Sequence, residues 1–267
     1  MCKLGLNCSL LTLLLLFSGE LSNAQSGSLS LANSPMHVAR SYQTAVPVAN
    51  GSVLMIGGEQ TDAQVESFAL PAGIFSQTGS MLTPRTHQTA TLLLNGCPPT
   101  LSDGCILIAG GIDQNSNTLN SAELYDPTSG ISQAIPGGMN VARSDHRATL
   151  LQDGTVLITG GVDPNGNTLS SAEMFNPATG TFSLLGNTMQ HPRTLHTATL
   201  LTNGQVLIAG SADYSTNQAC STVSAGDCSP TVWTNGDPSA ELYDPGSQQF
   251  IPTGNMQAGR WVILRPC

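Results

Sequence analysis

Residues 139–186 read MNVARSDHRATLLQDGTVLITGGVDPNGNTLSSAEMFNPATGTFSLLG, and the punctuation of this stretch decides the fold. Two apolar runs, HRATLLQ and TVLITG, flank Asp153-Gly154, a dipeptide that predicts a two-residue hairpin turn with φ > 0. The second run stops at Gly160-Gly161, and a polar loop follows. A third run, SSAEMFN, ends at Pro177, and a fourth, TFSLLG, follows Gly180. Four short strands joined by turns fill about the length of one propeller blade.

The unit recurs, with block starts at Met36, Met81, Met139, Met189 and Met256. The turn dipeptides Asn50-Gly51, Asn95-Gly96, Asp153-Gly154 and Asn203-Gly204 keep their place, and so do Gly57-Gly58, Gly110-Gly111, Gly160-Gly161 and the altered pair Gly210-Ser211. The expected blades are 36–80, 81–138, 139–188 and 189–255, with a partial fifth repeat over 256–267. GSLSLANSPM (27–36) aligns without gaps on GTFSLLGNTM (180–189), so an orphan fourth strand is expected at the N-terminus.

An Arg before the first strand, a DG or NG turn, a Gly-Gly stop, an acidic-aromatic strand such as SAELYDP and a G-x-F strand together resemble the kelch motif. The closest likeness is to secreted bacterial kelch proteins and the central domain of the galactose-oxidase family, and it spans nearly all of residues 25–267. The resemblance implies an all-β, kelch-type β-propeller with four complete four-stranded blades and partial strands at both ends. By the same resemblance kelch rings usually hold six or seven blades, so an incomplete ring with open ends is expected, and open strand edges imply self-association. Kelch propellers host both binding proteins and unrelated enzymes, so function has to be argued from the site.

Composition narrows the partners. The formal charge is −9, which disfavours nucleic acid and anionic membranes. Aromatic residues are only 4% of the chain, little material for a stacking platform. Lys3, the apolar run Leu10 to Phe17 and the small residues Ser22-Asn23-Ala24 read as a signal peptide over 1–24, too short for a stable membrane span. A secreted or periplasmic location follows.

Repetition also sorts the side chains. Arg40, Arg85, Arg143, Arg193 and Arg260 share one repeat position, and Glu66, Glu123, Glu173 and Glu241 share another on the third strand. Paired, they would form compensated, buried bridges linking neighbouring strands; an anion-binding ring is the functional alternative. His146 and His196 precede an Ala-Thr-Leu run, while His87 is offset by one place; structural hydrogen bonding is the simpler reading and a metal set the alternative. Asp113-x-Asn115-x-Asn117 and Asp163-x-Asn165-x-Asn167 resemble the start of a calcium loop, but lack its glycine at position six and its bidentate Glu at position twelve.

Cys97 and Cys105 flank an insertion at the second block's hairpin turn, and Cys220 and Cys228 sit with the same spacing in an insertion of the fourth block. In an exported chain each pair reads as a disulfide. The second insertion, roughly 212–238, carries Tyr214 and Trp233 and is a candidate binding loop. The copper-radical set of tyrosines, histidines and a cross-linked cysteine, which the galactose-oxidase likeness would imply, cannot be placed. The expectation is therefore a non-enzymatic module without cofactor that binds an unknown protein or carbohydrate. A degenerate or truncated oxidase-like or sugar-modifying enzyme, or an inactive remnant, stays open beside it.

Overall fold

The computed structural model describes residues 34–58, 61–211 and 237–257, all within the unit Asn33–Cys267. The first blade is β1 (Thr44–Pro47), β2 (Val53–Ile56), β3 (Gln64–Ala69) and β4 (Ile74–Ser80). The second is β5 (Thr89–Leu92), β6 (Ile106–Ala109), β7 (Ala122–Tyr125) and β8 (Ser132–Ala134). The third is β9 (Arg147–Leu150), β10 (Val156–Thr159), β11 (Ala172–Asn176) and β12 (Thr181–Leu184). The fourth is β13 (Thr197–Leu200), β14 (Val206–Ala209), β15 (Ala240–Asp244) and β16 (Gln249–Pro252). Each blade is one antiparallel sheet in sequence order, and the inner strands neighbour one another in the series β1, β5, β9, β13.

The hairpins differ from the expected two-residue turns. Leu151 N–H donates to Thr155 O at 2.8 Å, which leaves a three-residue loop, Gln152-Asp153-Gly154. Only Gly154 is left-handed (φ +85°); Asp153 instead accepts from Thr155 N–H through Oδ1 at 2.9 Å. Three-residue loops of this kind place one αL residue after a type I turn, so a single glycine suffices. Asn203-Gly204 repeats the geometry, with Leu201 N–H on Gln205 O at 2.8 Å.

Period-two alternation divides each middle strand between two cores. Ile106 and Ile108 pack toward blade one with Val46, Leu54, Ile56 and Val65, while Leu107 and Ala109 pack toward blade three with Val156, Ile158 and Phe175. Leu157 turns the other way, to meet Val206, Ile208 and Tyr243 of blade four. There is thus one apolar cluster at each of the three joints, and β6 and β10 are buried throughout because both their faces are covered. In the end blades, β2 and β14 are buried only at alternate residues. Met81, Met139 and Met189, which open the second, third and fourth repeats, are buried at the joints.

The 1–2 and 3–4 turns lie at one end of the strands, here the turn face. The 2–3 loops and the links between blades lie at the other, the loop face. Disulfide Cys97–Cys105 closes the base of the insertion in blade two, on the turn face. Residues 1–33, with the expected signal segment and nearly all of the expected orphan strand, lie outside the described residues. So do Tyr214, Cys220, Cys228, Trp233 and the end of the fifth repeat from 258, including Arg260.

Candidate functional site

At the loop face a fourfold-repeated ion pair builds the frame. Arg40 Nε lies 3.1 Å from Glu66, Arg85 Nη2 3.1 Å from Glu123, Arg143 Nη2 2.9 Å from Glu173 and Arg193 Nε 2.9 Å from Glu241, with the side chains buried. Each guanidinium also donates to the carbonyl that ends the second strand: Gly57, Gly110, Gly160 and Gly210 at 2.8, 2.9, 2.7 and 2.9 Å. Each carboxylate in turn accepts the backbone N–H that follows the repeat's methionine, from His37, Leu82, Asn140 and Gln190 at 2.6, 2.6, 2.7 and 2.9 Å. Burial pushes the Glu66 carboxyl up, but hydrogen bonds from His37 and Arg40 and the Arg40 charge hold it below its ordinary value. These groups bond chiefly to one another, with Arg143 Nε left without a partner among the described residues, and they hold the interblade link onto the third strand of the blade it enters.

The glycine pairs are blade joints. Gly58, Gly111 and Gly161 donate to the carbonyls of Arg85, Arg143 and Arg193 in the following blade at 3.0, 2.9 and 2.8 Å. A Cβ on Gly160 (φ +60°) would lie 2.2 Å from Arg193 O, so no side chain fits. At the fourth copy Ser211 Oγ instead accepts from Thr194 N–H at 3.0 Å.

The histidines serve the same joints. His146 Nε2 lies 2.9 Å from Thr89 Oγ1 of blade two, and His196 Nε2 2.9 Å from Thr159 Oγ1 of blade three. Gln88 occupies the matching place in blade two, donating to Ile56 O at 2.8 Å, which explains the one-place offset of His87. Burial holds both His146 and His196 neutral, His146 well below its ordinary pKa and His196 at about 3. No group of three or more His, Cys, Asp and Glu positioned for a metal occurs among the described residues. In the two polar loops, Asp113 and Asp163 cap their own turns: each Oδ1 accepts two backbone N–H groups, from Asn115 and Asn117 and from Asn165 and Asn167.

One position is different in kind. Between the recurrent Arg-(Ser/Thr) and the recurrent Gln or His stand Tyr42, His87, Asp145 and Leu195, all left-handed, with φ of 57°, 58°, 54° and 52°. Their backbones are chained across the joints: His87 N–H to Tyr42 O at 3.3 Å, Asp145 N–H to His87 O at 3.1 Å, and Leu195 N–H to Asp145 O at 3.1 Å. The conformation is therefore imposed by the array, and the side chains are free to differ. They form a belt at the loop-face end of the inner strands. Tyr42, 49% exposed, stacks on His87 with ring centroids 3.9 Å apart. Asp145 is half-buried; burial raises its pKa, against the opposing charges of His87 and Arg147. Arg147 donates from Nε to His196 O at 2.5 Å.

An aromatic stack, a carboxyl and a guanidinium on adjacent blades can grip a polar group by face and edge together. Sequence reasoning missed this belt, because it looked for residues that recur. The available signal was the reverse, one position that changes in every copy inside a frame that does not.

No curated protein matches this sequence. Residues 94–136 and 144–189, which hold β6–β8 and β9–β12, match the kelch motif. With four antiparallel four-stranded sheets, the fold is that of kelch-type β-propeller blades.

Proposed function

We propose that this chain is an exported interaction module whose loop face binds a protein partner through Tyr42, His87, Asp145 and Arg147. The observation that carries the proposal is the contrast within the repeat. The Arg, Gly and Glu positions repeat because their bonds build the frame, whereas the left-handed position carries Tyr, His, Asp and Leu in turn. Kelch repeats also suggest a protein-interaction surface. Ligands selected from a displayed peptide library, with a glycan array run in parallel, test it. Selected ligands should lose at least about ten-fold affinity, or about 1.4 kcal/mol, on Tyr42→Ala or Asp145→Asn, and keep it on Thr179→Ala at the turn face. Unchanged binding in both loop-face variants sinks the proposal, and ligands found only on the glycan array move the partner class to carbohydrate.

Two further parts of the proposal rest on separate grounds. Export is tested by the N-terminus of protein recovered from outside the cytoplasm; an intact Met1 there contradicts cleavage. Self-association draws support from Val53, Met55 and Leu207, apolar middle-strand residues of the end blades that stay only half-buried. A purely monomeric native mass at high concentration argues against it.

A further inference from the structure

At the loop-face end of the inner strands, Arg147 stands where the other three blades carry Thr44, Thr89 and Thr197. Two of these threonines serve the joints: Thr44 Oγ1 donates to Gln88 O at 3.3 Å, and Thr89 Oγ1 lies 2.9 Å from His146 Nε2. Arg147 keeps a bond of the first kind, from Nε to His196 O. The second kind is supplied here by Thr159, whose Oγ1 lies 2.9 Å from His196 Nε2. Thr159 is buried where blades one and two have Ile56 and Ala109, so a polar side chain has entered the joint to take over the bond that a threonine at 147 would make. The joint is thus complete without the Nη groups of Arg147.

Those Nη groups have no hydrogen bond among the described residues, and Arg147 is the only arginine among them outside an ion pair. The Asp145 carboxylate likewise has neither a hydrogen bond nor an ion pair among the described residues. Both residues are half-buried, yet none of these unpartnered atoms is enclosed, so both polar ends open to solvent. The backbone sets them side by side on one stretch of blade four. Asp145 O accepts from Leu195 N–H at 3.1 Å and from Thr194 Oγ1 at 3.4 Å, and Arg147 reaches the carbonyl of the next residue, His196. Burial raises the Asp145 pKa against the charges of His87 and Arg147, and lowers that of Arg147 against the charge of Asp145; the two heads feel each other without contact.

We infer that Asp145 and Arg147 bind an amide group of the partner, whose oxygen accepts from the Arg147 guanidinium and whose N–H donates to the Asp145 carboxylate. This rests on the reading of the loop face as a protein-binding surface and names the group it grips. Other groups meet opposition. A carboxylate on Arg147 would stand beside the Asp145 charge, an ammonium on Asp145 would stand beside the Arg147 charge, and like charges brought together oppose binding. An apolar group would strip water from two charges and replace nothing. A neutral donor–acceptor pair satisfies both through charge-assisted hydrogen bonds, and Asn and Gln side chains and the peptide group carry that pair. The net charge of −9 also disfavours a partner that relies on carboxylates.

Peptides are selected on the full chain from a displayed random library and kept where Tyr42→Ala weakens them. Each is then synthesised with every Asn or Gln changed in turn to Asp or Glu, and with every main-chain amide N-methylated in turn. One such change should cost at least about ten-fold in affinity. A critical Asn or Gln assigns the amide to a side chain, and a critical N-methyl position assigns it to the main chain. Asp145→Ala should shrink that cost, because the carboxylate that discriminates is gone; Asp145→Leu, which copies Leu195, serves if Asp145→Ala does not fold. Arg147→Thr, which copies the other three blades, should weaken the unmodified peptide at least about ten-fold at an unchanged thermal midpoint, yet leave the cost in place. A cost equal in Asp145→Ala and the parent, or full affinity in Arg147→Thr, overturns the inference. Peptides that depend on Tyr42 but tolerate every amide change overturn it too and leave the loop-face reading standing, whereas a library that yields no such peptide sinks both.

Discussion

Removing the Glu173 carboxylate tests how the frame is held. It takes four hydrogen bonds: Arg143 Nη2 at 2.9 Å, Asn140 N–H at 2.7 Å, Asn140 Nδ2 at 2.9 Å and Val141 N–H at 2.9 Å. Arg143 and Glu173 are both 0% exposed. Glu173→Ala strands the Arg143 charge in the interior, and losing one member of a buried pair costs about 3–5 kcal/mol. The freed backbone donors belong to Asn140, which is exposed, and Val141, which is half-buried, so they add less than fully buried unsatisfied groups would. A typical domain has only about 5–15 kcal/mol in hand, so the variant should lose a large share of its stability. With a urea slope of ~1–3 kcal/mol per molar, the midpoint should fall by more than about 1 M. The Arg143→Met/Glu173→Leu double variant should be more stable than Glu173→Ala, since it leaves no uncompensated charge. A loss below about 1 kcal/mol in Glu173→Ala, or singles that add in the double variant, would refute the reasoning.

Other consequences are open to direct measurement. His196 has its folded pKa lowered to about 3 from 6.5, so the unfolded chain binds the extra proton between those values. Stability should therefore be full above pH 6.5 and fall as pH drops toward 3, and His196→Gln, which copies Gln88, should flatten that slope in urea titrations; an unchanged slope contradicts a buried neutral imidazole. Cys97→Ser/Cys105→Ser should lower stability by at most ~2–3 kcal/mol in the chain-entropy model, since the bridge joins residues only eight apart; a total loss of folding would show that the bridge does more. Gly160→Ala should cost clearly more than Gly166→Ala: both are left-handed, at about 1–2 kcal/mol, but only Gly160 faces a carbonyl at 2.2 Å, and equal losses in thermal melts would remove the steric argument.

The blades were legible because their signals are local. A glycine after Asn or Asp, a Gly-Gly stop and a two-residue period each constrain the backbone within a few residues. The Arg and Glu of the frame were legible through recurrence, and their burial follows from pairing. The hairpin length was misjudged by one residue, because Asp153-Gly154 suits both a two-residue turn and the observed three-residue loop. The belt was not legible for a physical reason: Tyr42 and Leu195 have no intrinsic leaning to φ > 0, and backbone bonds across the joints to adjacent blades hold the position there. Low aromatic content also hid the Tyr42–His87 stack, which needs a single tyrosine.

The central claim is a division of labour, in which recurring residues hold the blades and varying ones meet the partner. It is tested most directly by measuring urea stability and affinity for a selected peptide ligand side by side in Asp145→Asn and Glu173→Ala. The account predicts that Asp145→Asn, at a half-buried position, loses about 1 kcal/mol or less, yet binds at least about ten-fold more weakly, while Glu173→Ala loses several kcal/mol. Full binding by Asp145→Asn together with a stability loss as large as that of Glu173→Ala would contradict it.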